Sequence, residues 1–228
     1  MEEVLSAEKL PSIIDISLLG AAATEMEVAK LAEYAKEYQF IAAYVMPNNV
    51  SRLRKCLSDD QNIIIGATIG FPTGTDLMQD KAFQVKELKK IGCTEFDMVI
   101  SIGKLKSGCI DYVKEDIQRV IDAAGEYPVK VILEVTYLTD DEIKLGSEIV
   151  ASSGAEYVKT GTGYAANPTE LRHVQLMKKT VGDSVKIKVA GGVRNYSSLQ
   201  AFYNAGASRF GIGMNSAVHI IEEAKSIQ

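Results

Sequence analysis

Cysteine and histidine are scarce in this 228-residue chain, and long apolar runs are missing altogether. The three cysteines, Cys56, Cys93 and Cys109, stand far apart, without the paired spacing of a zinc site. They read as reduced thiols in or near a core. The two histidines, His173 and His219, fall in helix-like stretches without a nearby ligand partner, so both are expected to be structural and no metal is expected. No stretch approaches the ~20 apolar residues of a membrane span. Residues 1–6 have neither the basic start nor the apolar run of a secretory signal, so a cytoplasmic protein is expected. A net charge of −5 gives no reason to expect nucleic acid or an anionic membrane as partner. A local phosphate site is still open to backbone amides and a few cations. There is no Pro/Gly/Ser-rich hinge and no low-complexity tract, so residues 1–228 are expected to form one domain.

Short β-branched or apolar runs recur eight times, at residues 13–17, 41–46, 63–69, 95–102, 129–135, 157–162, 185–190 and 209–214. Helix-period segments lie between them, at 25–38, 76–91, 111–124, 140–153, 168–180 and 197–204. Thr139, Asn167 and Asn195 are placed as helix caps. Strands alternating with amphipathic helices imply βαβ units and a parallel sheet. A Gly-rich dinucleotide fingerprint does not follow the first strand, which weakens an open doubly wound sheet. Eight regular units without a long linker favour closure into a (β/α)8 TIM barrel.

Side chains on a strand alternate between faces. In the fourth run Phe96, Met98 and Ile100 share one face and Asp97 the other; in the fifth, Val129, Val131, Leu133 and Val135 oppose Lys130 and Glu134. Lys159 and Lys188 occupy the corresponding polar face of the sixth and seventh runs. The outer face of a barrel packs on helices, so these three lysines and two carboxylates are expected to point inward. Burying unpaired charge costs several kcal/mol, and a core built only for stability would carry Val, Ile or Leu there. The cluster therefore reads as a reaction centre. A lysine attacks a carbonyl only when neutral, and both burial and a second ammonium lower its pKa. Lys159 beside Lys188 meets that condition. The iminium it would form is an electron sink for making or breaking an adjacent carbon–carbon bond, with Asp97 moving protons through water. A sugar-phosphate isomerase or epimerase, or a non-catalytic binding barrel, stays open as an alternative from the residues alone.

The chain also resembles the deoxyribose-phosphate aldolase family of class I aldolases over nearly its whole length. The resemblance is carried by Phe96-Asp97-Met98-Val99-Ile100-Ser101-Ile102-Gly103, by Lys130-Val131-Ile132-Leu133-Glu134, by Tyr157-Val158-Lys159-Thr160-Gly161-Thr162-Gly163, and by Lys188-Val189-Ala190-Gly191-Gly192-Val193-Arg194. It implies Lys159 as the Schiff-base lysine, Lys188 as the lysine that perturbs it, Asp97 as a proton relay and Lys130 as support. It further implies that Asp15, Ser17, Thr162 and Gly163 meet the substrate, with no cofactor and commonly a homodimer. The implied reaction is reversible cleavage of 2-deoxy-D-ribose 5-phosphate to acetaldehyde and glyceraldehyde 3-phosphate. Departures from the family pattern gather at the phosphate end: Gly161 stands for a serine, Tyr164 for lysine or phenylalanine, and Gly213-Met214 for two serines. Backbone amides of Gly191, Gly192, Gly211 and Gly213, with Arg194, are left to hold an anion there. A non-phosphorylated or different acceptor aldehyde is the alternative within the family. Tyr44, where the family often has cysteine, is expected to narrow the barrel mouth.

Overall fold

Ile14, Ile16, Phe96, Met98, Val131, Val158, Ile187, Val189, Phe210 and Ile212 are all buried and alternate along their strands with the polar set. Strands with one continuous apolar face bury it against helices, and eight of them in sequence close on themselves. The computed structural model describes residues 4–227; residues 1–3 and 228, which the one-domain reading and the reading of the N-terminal segment include, lie outside the described residues. The strands are β1 Ile14–Leu18, β2 Ala42–Val45, β3 Ile64–Ile69, β4 Glu95–Val99, β5 Val129–Ile132, β6 Tyr157–Lys159, β7 Lys186–Ala190 and β8 Arg209–Gly213. They form a closed barrel in chain order, each parallel to its neighbours, with β8 pairing back onto β1. The helices are α1 Glu25–Tyr38, α2 Val50–Cys56, α3 Met78–Lys90, α4 Ile102–Lys106, α5 Ile110–Ala124, α6 Asp140–Ser153, α7 Leu171–Val181, α8 Tyr196–Asn204 and α9 Met214–Ile227.

The register places the inward residues side by side. Thr68 pairs with Asp97, Asp97 with Lys130, and Lys130 with Tyr157; one layer on, Ile132 pairs with Lys159, Lys159 with Lys188, and Lys188 with Arg209. Partners in a parallel pair point to the same side of the sheet, so charges far apart in sequence are brought into one layer.

Boundaries differ from the periodicity where a side chain intervenes. β5 stops at Ile132 because Glu134 takes a left-handed backbone conformation, with φ 58°. The helix expected from residue 168 begins at Leu171, and Asn167 is not its cap. Thr169 is held instead to the end of β7, its amide donating to the Gly191 carbonyl (2.7 Å) and its hydroxyl to that of Ala190 (2.8 Å). Glu170 then caps α7, and its amide donates to His173 Nδ1 at 3.0 Å, which gives that histidine a structural place. Thr139 and Asn195 cap α6 and α8 as their spacing implies. The cysteines are free: Cys93 is buried, its thiol pushed up to about 12 by burial, Cys56 is half-buried, and Cys109 is exposed rather than packed in the core. Among the described residues no helix is long and apolar enough to cross a membrane.

Candidate active site

The polar interior begins at the floor. Glu95, two residues before Asp97 on β4, accepts from Tyr44 Oη at 3.0 Å and from Lys130, and an Arg209 nitrogen lies 3.3 Å from the same carboxylate oxygen. Arg209 Nε donates to Asp15 Oδ1 at 2.5 Å. Asp15 Oδ2 lies 2.5 Å from Lys188 Nζ, an ion contact off the hydrogen-bond direction. Lys188 Nζ donates to Asp97 Oδ2 at 2.5 Å, and Lys159 Nζ donates to the same oxygen at 2.6 Å. Lys130 Nζ stands 3.8 Å from the other Asp97 oxygen. Three carboxylates and four cations thus share one connected network, all nearly out of solvent. The sum is one positive charge in excess, and the neutral form of Lys159 removes it.

Burial strips the Lys159 ammonium of water and is the largest influence on it; Asp97 opposes this, Lys188 adds to it, and the amine settles at about 8. Lys188 is affected oppositely: burial alone would lower it, but Asp15 and Asp97 on either side hold it above the usual lysine value. Asp97 is pushed up by burial and pulled down further by Lys159, Lys188 and Lys130, so it stays well below the carboxylate range. Lys130 is lowered, by burial first and then by Lys188.

Above this network opens a cavity of about 370 Å³ at the C-terminal ends of the strands. Asp15, Ser17, Asp97, Lys159, Thr162, Gly163, Lys188, Gly191, Gly192, Arg194, Gly211 and Gly213, all singled out from the sequence, line it. Lys130 lies beneath, fully buried. Glycine at 211 lets the cavity reach the amine, since a Cβ there would stand 3.3 Å from Lys188 Cε and 3.8 Å from Lys159 Nζ. Ser17 donates its hydroxyl to the Ile212 carbonyl (3.1 Å), and the Thr162 hydroxyl donates to Glu134 while accepting from the Tyr164 amide (3.0 Å). Both hydroxyl hydrogens are thus committed within the protein. Arg194 is exposed on the rim and makes no ion pair among the described residues. Of the two helices starting nearby, α8 has its first amides taken by Asn195 and Glu223, whereas α9 begins at Met214 directly on β8, where Gly213 and Ser216 line the cavity.

Two expectations are corrected. Glu134 does not join the lysines: leaving the strand, its carboxylate accepts from Thr162 N and Oγ1, and burial holds it above the usual glutamate value. A Cβ at position 161 would stand 2.7 Å from Glu134 Oε1, so a side chain there would require that carboxylate to shift. Tyr44 is not at the mouth. It is 2% exposed on the floor, its ring 4.2 Å from Lys188 Nζ and its hydroxyl spent on Glu95 and Lys130. Gly66, its register partner on β3, leaves the space the ring fills. Glu95 and Arg209 were missed, although period two puts Glu95 on the face of Asp97 and Arg209 on that of Gly211.

A closed parallel barrel with a buried, weakly basic lysine at the floor of its mouth cavity has the architecture of barrel enzymes that work on carbonyl compounds. The chain belongs to the DeoC/LacD family of aldolases, whose profile matches residues 15–216, and it is a lyase. It is 40% identical to the deoxyribose-phosphate aldolase of Sinorhizobium medicae over 98% of this chain and 90% of that one. With the deoxyribose-phosphate aldolase of Coprothermobacter proteolyticus it shares 42% identity over 93% of this chain and 96% of the relative. Its fold superposes on the tetrameric deoxyribose phosphate aldolase of Aeropyrum pernix with a TM-score of 0.88 at 28% identity, over 98% of this chain and 94% of the other.

Proposed function

We propose that this chain cleaves 2-deoxy-D-ribose 5-phosphate reversibly to acetaldehyde and glyceraldehyde 3-phosphate through a Schiff base on Lys159. The observation that carries the reading is the Lys159 amine, held at about 8 on the cavity floor and 2.6 Å from Asp97. At pH 7 such an amine is about one-tenth neutral, against roughly one part in 2,500 for an ordinary lysine. Neutral Lys159 attacks C1 of the open-chain sugar, and loss of water gives the iminium. A base takes the proton of the C3 hydroxyl, the C2–C3 bond breaks, and its electron pair moves into the iminium to leave an enamine. C3 departs as the aldehyde of glyceraldehyde 3-phosphate. Protonation of the enamine at C2 and hydrolysis release acetaldehyde and the amine. Asp97, acting through water, is the proton relay, Lys188 keeps the amine weakly basic, and Lys130 supports both. Asp15, Ser17, Thr162 and Gly163 shape the wall beside the sugar. The amides of Gly191, Gly192, Gly211 and Gly213, with Arg194, receive the phosphate.

No cofactor, nucleic acid or membrane takes part in this reading, and a cytoplasmic homodimer built from one-domain subunits belongs to it. Incubation with acetaldehyde, borohydride reduction and peptide mapping tests it: the adduct is expected on Lys159, and its absence from folded protein would sink the proposal. A second reading, cleavage of a non-phosphorylated sugar, is favoured by the glycines at 161 and 213, which carry no hydroxyl toward the anion. Cleavage of deoxyribose measured beside its 5-phosphate in the same assay separates the two.

A further inference from the structure

Tyr164 follows the β6 strand, yet its side chain does not stay above β6. Gly163, at φ 86°, turns the chain just before Tyr164, whose amide donates to Thr162 Oγ1 at 3.0 Å. Its hydroxyl donates to the Leu19 carbonyl, just past the end of β1, at 2.6 Å. Its ring packs edge-on against Phe71, just past the end of β3, with centroids 5.3 Å apart and planes at 89°. β1 and β3 each lie three strands from β6, in opposite directions round the barrel. The side chain therefore crosses the mouth and is pinned on the far side, while the residue remains 49% exposed. The cavity lining agrees with this: its rim residues come from the ends of β1, β6, β7 and β8, and none comes from the loops after β3 or β5.

We propose that Tyr164 is a specificity-determining residue, a crossbar that confines the acceptor end of the substrate to the β6–β7–β8–β1 half of the mouth. That half holds the glycine-rich turns, Arg194 and the start of α9, and it suits a short aldehyde ending in an anionic or strongly polar group. The crossbar closes the other half against branched or aromatic chains. This inference rests on the aldolase reading of Lys159.

Aldol addition of acetaldehyde to glyceraldehyde 3-phosphate and to 3-phenylpropanal, compared by kcat/KM in wild type, Tyr164→Ala and Tyr164→Phe, tests it. Tyr164→Ala is expected to raise the ratio in favour of the aromatic aldehyde by at least ~10-fold, the scale on which pocket shape discriminates substrates. Tyr164→Phe keeps the ring but loses the Leu19 contact, and the shift should be smaller, about threefold. A purely structural defect would lower both rates together, so an unchanged ratio in Tyr164→Ala overturns the proposal. Should circular dichroism show that variant unfolded, an unchanged ratio in Tyr164→Phe overturns it instead. Borohydride trapping on wild type runs alongside: a missing Lys159 adduct defeats the aldolase reading and the crossbar with it, whereas an adduct with unchanged ratios defeats the crossbar alone.

Discussion

Lys159 is weakly basic because the barrel removes water from its ammonium faster than Asp97 restores the lost stabilisation. The two charged neighbours act on it in opposite senses, which allows them to be told apart. Lys188→Leu removes a repelling ammonium, so the pH midpoint of acetaldehyde trapping should move above 8 and turnover should fall roughly 100-fold or more. Asp97→Asn removes the attracting carboxylate, so the same midpoint should move below 8, and turnover should fall if Asp97 is the proton relay proposed above. Mapping the borohydride adduct from pH 6 to 10 reads both midpoints, and shifts of the same sign would show that charge is not what sets the amine. The amine's inward face was legible in the sequence, because period two separates Lys159 from Val158 without any tertiary information. The opposing signs were not, since the effect of Asp97 depends on its 2.6 Å approach from a strand 62 residues away.

The elements around the barrel hold its charged layer from outside as well. Lys81 on α3 is fully buried, donating to Asp116 on α5 at 2.6 Å and to the Val99 carbonyl at the end of β4 at 2.9 Å. Asp116 in turn accepts from the Ser101 amide at 3.2 Å. This pair ties two helices to the strand that carries Glu95 and Asp97. Truncating one member of a buried ion pair strands the other, so Lys81→Met should cost ~3–5 kcal/mol in urea unfolding. Lys81→Met with Asp116→Leu should recover much of that, and a double variant as unstable as the single would point to lost packing instead. The sequence marked α3 and α5 as amphipathic helices but gave no sign that a lysine in one met an aspartate in the other. Helix periodicity names a buried face without naming what that face will touch. The ends of β5 and α7 were obscured for a related reason: Glu134 and Thr169 break the regular pattern for contacts with Thr162 and the end of β7.

At the scale of the whole molecule, closing the barrel stores seven charges in one dry interior, and that links stability to pH. Asp15 and Asp97 are both held below the usual carboxylate range in the folded chain, Asp15 by Lys188, Lys130 and Arg209 acting against burial. The unfolded chain takes up their protons near pH 4 and the folded chain does not. Their contribution is therefore complete above the unfolded pKa and is lost as pH falls through and below it. Urea unfolding at pH 7, 4 and 3 should show stability falling steeply toward acid, with a shallower fall in Asp97→Asn, which has one fewer such group; equal slopes would contradict this linkage. The sequence by itself determined the (β/α)8 barrel, the inward direction of Lys130, Lys159, Lys188 and Asp97, and the departures at Gly161 and Tyr164, because strand periodicity and residue type are local properties. Only the tertiary structure decided that Glu95 and Arg209 complete the floor, that Glu134 serves Thr162, that Tyr44 lies under Lys188, and that Tyr164 spans the mouth. Those facts depend on strand register and on loops meeting across the barrel, which set distances between residues far apart in the chain. Lys159 owes its lowered basicity to that closure.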